Sequence, residues 1–244
     1  MALWSRFHSL QRKIIAAIVM VGLLPLTLLL ILLYIEERRA LRETTGANFK
    51  EAAVEAARRI DMHVTRSVNE SQQLATMPFL RTAVGAANRT YEGKDPQAIL
   101  GIIDDWRQRW GQRDKRSEFP LFVNRIVTNF LIRWHEIRKT DYVGILVTDG
   151  QGALVVSSIP QVEYAYAATP WWQAVVKSAS QQPYVGDIGF DPAFGTHVVI
   201  VASPILDDQQ RTVIGVVTIL LRRDTLFQSL ADVSVGATGH AMLF

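Results

Sequence analysis

The chain has 244 residues, of which 26 are basic and 23 acidic, and it has no cysteine. Without cysteine there are no disulfides, no thiol catalysis and no cysteine-ligated metal, so any folded part must be held together by its core. Arg6, Arg12 and Lys13 precede every acidic residue and the rest of the chain balances at 23 against 23, so the net charge of +3 belongs to the N-terminal segment and no basic surface for nucleic acid is indicated.

From Ile14 to Ile35 the chain reads IIAAIVMVGLLPLTLLLILLYI, about 22 residues without a charge, the length a helix needs to cross a bilayer core. A cleaved signal peptide is the competing expectation. It calls for an apolar region of about 7 to 15 residues ending in a small-x-small site, whereas this run meets Glu36-Glu37-Arg38-Arg39 directly. We therefore expect an uncleaved anchor over 14–35 in the inner (plasma) membrane, kinked at Pro25. The positive-inside rule keeps residues 1–13 in the cytoplasm as a basic tail and places everything after the anchor outside, in the periplasm or beyond.

Between Glu36 and about Met77 there is no proline and only Gly46, and Phe49, Ala53, Ala56, Ile60, Val64, Val68, Ser71 and Leu74 recur at helical spacing. A long helix continuing the anchor is expected over 36–80, either lying on its own domain or forming a homodimer seam. Met77-Pro78 ends it, and Gly93-Lys94-Asp95-Pro96 marks a turn before a second helix from Gln97 to about Trp110. A charged break follows at Gly111 to Pro120, and the cluster of Arg107, Arg109, Arg113, Lys115 and Arg116 interleaved with Asp104, Asp105, Asp114 and Glu118 reads as a solvated helix face and turn. A third helix is expected from about Leu121 to Arg138, where Phe122, Ile126, Phe130 and Trp134 stack every four residues.

The period then changes. Tyr142 to Thr148 reads as a strand, Asp149-Gly150-Gln151-Gly152 as a hairpin turn and Ala153 to Ser158 as the returning strand. A short helix from Pro170 to Ser180 follows, then strands over His197–Leu206 and Thr212–Leu221 joined by a polar turn. The expected fold class is α+β, helices feeding an antiparallel sheet.

No nucleophile elbow, glycine-rich phosphate loop or kinase signature is present, so no catalytic module is expected. The five histidines are scattered without helical pairing, and Asp187, Asp191, Asp207 and Asp208 lack the ordered spacing of a calcium loop, so neither a metal nor any other cofactor is expected. The dense stretch is Tyr164 to Asp191. There Tyr164, Tyr166, Trp171, Trp172 and Tyr184 gather five rings near Asp187 and Asp191. Rings with a few polar groups suit a small-molecule pocket, while the same pattern suits the packing of one helix on a sheet; by residue type both remain open.

The order of a basic start, an anchor, a long helix and then YVGILVTDGQGALVVSS, PWWQAV, GDIGFDPAFG, VVIVASPILD and VIGVVTILL resembles the double Cache sensor domains of bacterial transmembrane receptors, from about Glu36 to the end. That resemblance implies a PAS-like sheet, with 81–229 as a membrane-distal, ligand-binding subdomain and 230–244 as the start of a truncated membrane-proximal one whose first strand begins near His240. It also implies an output of histidine kinase, chemoreceptor or diguanylate cyclase type. One branch of that family binds amino acids through a tyrosine, an arginine beside paired aromatics, a tyrosine-x-aspartate pair and a later aspartate. Tyr164, Trp171, Trp172 and Asp191 match it, whereas Thr169, Gly189 and Leu220 replace the arginine, the second tyrosine and the later aspartate. Losing the guanidinium and the counter-charge puts amino-acid recognition in doubt.

The expectation is thus the extracytoplasmic sensing region of a signal transducer, a sensor histidine kinase foremost, binding a small molecule at the ring cluster. A membrane-anchored hydrolase would need a nucleophile with its base or a metal cluster, which the sequence lacks. A structural or adhesion ectodomain is the remaining rival.

Overall fold

The computed structural model describes residues 24–112, 125–226 apart from 161, 179, 193 and 210, and the short pieces 234–235 and 239–240. Two compact units emerge, one of residues 1–55 with 234–244 and the other of 56–233. Helix α1 runs over Leu24–Ala75, 52 residues, so the helical spacing is realised without a break at Gly46. Among the described residues no helix is long and apolar enough to cross a membrane. Residues 14–23 of the expected anchor lie outside the described residues, and 24–35 open α1. In the first unit the other described element is a two-stranded antiparallel ribbon of β6 (Ser234–Val235) and β7 (Gly239–His240).

The second unit contains four further helices: α2 (Pro78–Arg89), α3 (Pro96–Gln112), α4 (Arg125–Ile137) and α5 (Pro170–Lys177). Helix α2 is absent from the sequence expectation, in which Pro78 only ends the preceding helix. Pro78 instead opens a new helix behind an extended Met77, at the one position where its missing N–H costs nothing. The expected start of α4 at Leu121 falls outside the described residues.

Five strands make one antiparallel sheet in the order β2-β1-β5-β4-β3: β1 Tyr142–Asp149, β2 Leu154–Ser157, β3 Tyr184–Asp191, β4 Thr196–Leu206 and β5 Val213–Arg222. Four match the expectation to within about a residue or two. Strand β3 was not expected; it is an edge strand, exposed along much of its length and bulged between Val185 and Ile188, so it lacks the clean alternation that marks a strand in sequence. The β1–β2 hairpin requires Gly152, whose φ is +79° and where a Cβ would come within 2.6 Å of the backbone nitrogen of Ala167.

The sheet is covered on both faces. One face, with Ile145, Val147, Val201, Val217 and Ile219, packs against α1, α2 and α4 through Leu74, Leu80, Val84 and Leu131. Buried polar contacts fix α1 to this face. Ser71 and Ser203 share a 2.6 Å hydrogen bond, and the buried Glu70 carboxylate accepts from Tyr142 Oη at 2.8 Å and pairs with Arg138 at 2.9 Å. The other face, with Leu146, Leu154, Ala202, Val216 and Leu220, packs against the aromatic side chains.

Candidate functional site

The aromatic layer is assembled by local backbone chemistry. Residues 164–166 run extended beside the start of β2: Leu154 donates its N–H to Tyr164 O at 2.7 Å and Tyr166 donates to Gly152 O at 2.8 Å. Two-residue spacing in an extended segment sends Tyr164 and Tyr166 to the same side. Thr169 closes the next turn, its hydroxyl and its N–H both donating to Tyr166 O, and Pro170 starts α5. Thus the Thr169 side chain is taken up by the backbone at the head of the helix. From α5, Trp171, Trp172 and Val175 turn onto the sheet.

The rings share one packed cluster with aliphatic residues of the sheet. Tyr166 and Trp171 have centroids 5.5 Å apart, and Trp110 and Trp106 of α3 lie 6.0 and 6.5 Å from Tyr164. Trp110 Nε1 donates to Val162 O at 2.7 Å, tying α3 to the segment that carries the tyrosines. Trp172 Nε1 donates to Thr148 Oγ1 at 3.2 Å, fixing the indole over the end of β1. Tyr164, Tyr166, Trp171 and Trp172 are all buried, so the layer is closed over the sheet. Burial, with the nearby Asp149 carboxylate second, holds the Tyr164 phenol well above its ordinary range and therefore neutral.

The predicted site residues divide into two groups. Tyr164, Tyr166, Trp171 and Trp172 come together in the buried cluster, and the half-buried Tyr184 packs against it opposite Ala202. The two aspartates do not join them. Asp187 lies exposed in the bulged part of β3, and Asp191 ends that strand opposite Thr196, six residues along β4 from the partner of Tyr184. At about 3.3 Å per residue, that is roughly 20 Å of strand. Among the described residues no group of three or more His, Cys, Asp or Glu could hold a metal ion.

Sequence reasoning overlooked two features of this region. Asp149, read only as a turn residue, is a buried carboxylate: Oδ1 accepts from the N–H groups of Gln151 and Ala153, both at 2.9 Å, and Oδ2 accepts from Tyr91 Oη at 2.9 Å. Burial raises its pKa, and these hydrogen bonds work the other way. Thr218, in the centre of β5, is wholly buried and its hydroxyl has no hydrogen-bond partner. Its cross-strand partners Leu146 and Ala202 both belong to the ring cluster, which places Thr218 on the same face. A threonine inside an apolar strand gives no sequence signal of that kind.

Comparison with known proteins agrees with this architecture. Residues 123–228 match the family model described as the methyl-accepting chemotaxis protein-like first PDC sensor domain. The fold resembles the sensor domain of the Vibrio cholerae histidine kinase DctB, with a TM-score of 0.50 at 12% identity over 79% of this chain and 60% of that one. Further matches are the Escherichia coli DcuS sensor domain, with a TM-score of 0.42, 16% identity and coverage of 70% and 96%, and the ligand-binding domain of the Campylobacter jejuni chemoreceptor Tlp3 in complex with L-valine, with a TM-score of 0.37, 12% identity and coverage of 68% and 66%. No curated protein matches the chain by sequence. The chain spans about 60% of the DctB domain's length. The resemblance read from the sequence therefore holds for the matched segment: residues 123–228, which carry β1–β5, α4 and α5, are similar to a PDC sensor domain, and the sheet with its flanking helices has the fold of a Cache-type sensor domain.

Proposed function

We propose that this chain is the extracytoplasmic small-molecule sensing region of a bacterial transmembrane signal transducer, a two-component sensor histidine kinase, with the aromatic layer over β1, β4 and β5 as its ligand site. The observation that carries this reading is the assembly of Tyr164, Tyr166, Trp171 and Trp172 on one face of a segment that matches a sensor-domain model. A chemoreceptor is the second reading, favoured by the description of that model. The reading assigns no catalysis to these 244 residues.

Membrane attachment belongs to the same proposal. Leu26 and the residues from Leu28 to Ile35 are apolar and exposed on every side of a helix, a pattern that suits lipid rather than water. Two copies would associate through the exposed side of α1. The contacts of Glu70 and Ser71 with the sheet support a route for the signal, because a ligand that favours one position of the sheet would favour one position of α1 as well.

Thermal denaturation of the purified chain against a panel of small metabolites tests the reading. A ligand of the native state raises the midpoint. In Trp171→Ala and Trp172→Ala variants that still fold, that rise should vanish beyond any loss of intrinsic stability. A full rise in both variants would leave the tryptophans as packing residues only. A reporter enzyme fused after Phe244 should be active only if it works outside the cytoplasm; activity of a strictly cytoplasmic reporter would overturn the topology.

A further inference from the structure

The ring-covered face also limits the charge of what it can hold. Among the described residues only two Asp, Glu, Lys or Arg side chains are buried, Glu70 and Asp149. Glu70 is committed to Tyr142 and Arg138 on the opposite face, and Asp149 to the hairpin N–H groups and Tyr91. The Arg109 guanidinium lies 5.4 Å from the Trp106 ring but is mostly exposed and paired with Asp105 at 2.8 Å. Along β5, the charge nearest to Thr218 on its own face is Arg222, four residues away, or roughly 13 Å at strand rise. A carboxylate placed under the rings would lose its water and meet no cation, and an ammonium would meet only Asp149, whose two oxygens already accept from Gln151, Ala153 and Tyr91.

What this face does offer is a hydroxyl. Among the described residues every other buried serine or threonine hydroxyl has a hydrogen bond: Ser71 with Ser203, Ser157 with Ile159 O, Ser158 with the Ile145 N–H, Thr148 with Trp172, Ser67 with His63 O and Thr225 with Thr140 O. Thr218 Oγ1 alone has none. It lies between Leu146 and Ala202, one register step from the Thr148–Val216 pair over which Trp172 is fixed. A buried hydroxyl left unpaired on this face is a cost to the ligand-free fold, and a group that relieves it is an acceptor arriving from outside.

We propose that the ligand of this face is an uncharged, mainly apolar molecule carrying one carbonyl, which accepts a hydrogen bond from Thr218 Oγ1 while its hydrocarbon part lies beneath Trp171 and Trp172. The proposal rests on the sensing reading and narrows it to a ligand class other than amino acids and carboxylates. Entry requires the ring layer to part, which couples occupancy to the position of α5.

The test uses the full chain and four probes of similar bulk: acetophenone, ethylbenzene, benzoate and L-valine, each read by thermal shift and by quenching of tryptophan fluorescence. Acetophenone should bind, ethylbenzene should bind about three- to tenfold more weakly, as the loss of one neutral hydrogen bond implies, and benzoate and L-valine should give no shift. In Thr218→Val the difference between acetophenone and ethylbenzene should disappear, while the ligand-free midpoint stays level or rises. No response to acetophenone, or a clear fall in the ligand-free midpoint of Thr218→Val, overturns the proposal. A response to benzoate or L-valine that Trp172→Ala abolishes would also overturn it while leaving the sensing reading intact. A response that survives Trp172→Ala would instead count against the ring layer as the site.

Discussion

The two faces of the sheet are built from different materials. The face under α1, α2 and α4 is aliphatic at its centre, with Leu74, Leu80, Leu131, Ile145 and Ile219 fully buried, and its buried carboxylate and serine hydroxyls are paired. The face under α5 and the tyrosine segment is aromatic, its rings are joined in broad contacts, and it holds an unpaired hydroxyl at its centre. Both faces are close-packed and lose contacts when they separate, but among the described residues only the ring face has a buried strand hydroxyl that its own neighbours leave unpaired. The difference teaches where an outside group could gain a contact: the helical face ties α1 to the sheet through Glu70 and Ser71, and the aromatic face leaves Thr218 unpaired.

Truncation on the helical face should give the largest effect. Leu131→Ala removes a fully buried side chain from between α4 and the sheet and should cost about 2–5 kcal/mol in chemical denaturation. A loss below about 1 kcal/mol would mean that Leu131 is not tightly packed in this face. Next in size is Glu70→Ala, which leaves Tyr142 Oη without its acceptor and Arg138 without its carboxylate. Burial of the carboxylate argues for the upper part of the range for broken buried pairs, but Arg138 is about a third exposed, and solvent screening brings the expected loss to roughly 2 kcal/mol. Tyr142→Phe should lose about 1 kcal/mol, and a double-mutant cycle between the two should show coupling, because they share one hydrogen bond.

A smaller effect separates the faces by pH. Because burial raises the folded-state pKa of Asp149 above its unfolded value of about 4, the proton is held more tightly in the folded chain. Its contribution to stability is full below that unfolded value and is lost as pH rises through the folded value. Asp149→Asn keeps an oxygen for Gln151 and Ala153 and an amide group for Tyr91, so the variant should gain on the parent as pH rises from about 4 to 7. Parallel stability curves for the two proteins would show that the carboxylate carries no such penalty. Smallest of all is Asp208→Ala. It removes the partner of Arg81 at 3.0 Å, but that carboxylate is 91% exposed, and the denaturation midpoint should not move measurably.

The linear pattern of this chain carried most of its architecture. Helical spacing from Phe49 to Leu74 foretold α1, the change of period at Tyr142 and the Asp-Gly turn foretold the first hairpin, and Pro170-Trp171-Trp172 foretold α5, because apolar periodicity and turn chemistry are local properties. Two elements were not legible. Helix α2 hides behind a proline that can as well end a helix as begin one, and the exposed edge strand β3 has too little burial to impose an alternating pattern. The rings of the candidate site were visible as a cluster in sequence because they fall within about twenty residues, yet their separation from Asp191 was not, since a strand carries a residue some 20 Å along the sheet while the sequence shows only a short gap. The roles of Asp149, Glu70 and Thr218 were decided only in three dimensions. Whether a carboxylate is sequestered or a hydroxyl is left unpaired depends on which distant strands and helices pack around it, and that environment is a product of the tertiary fold alone.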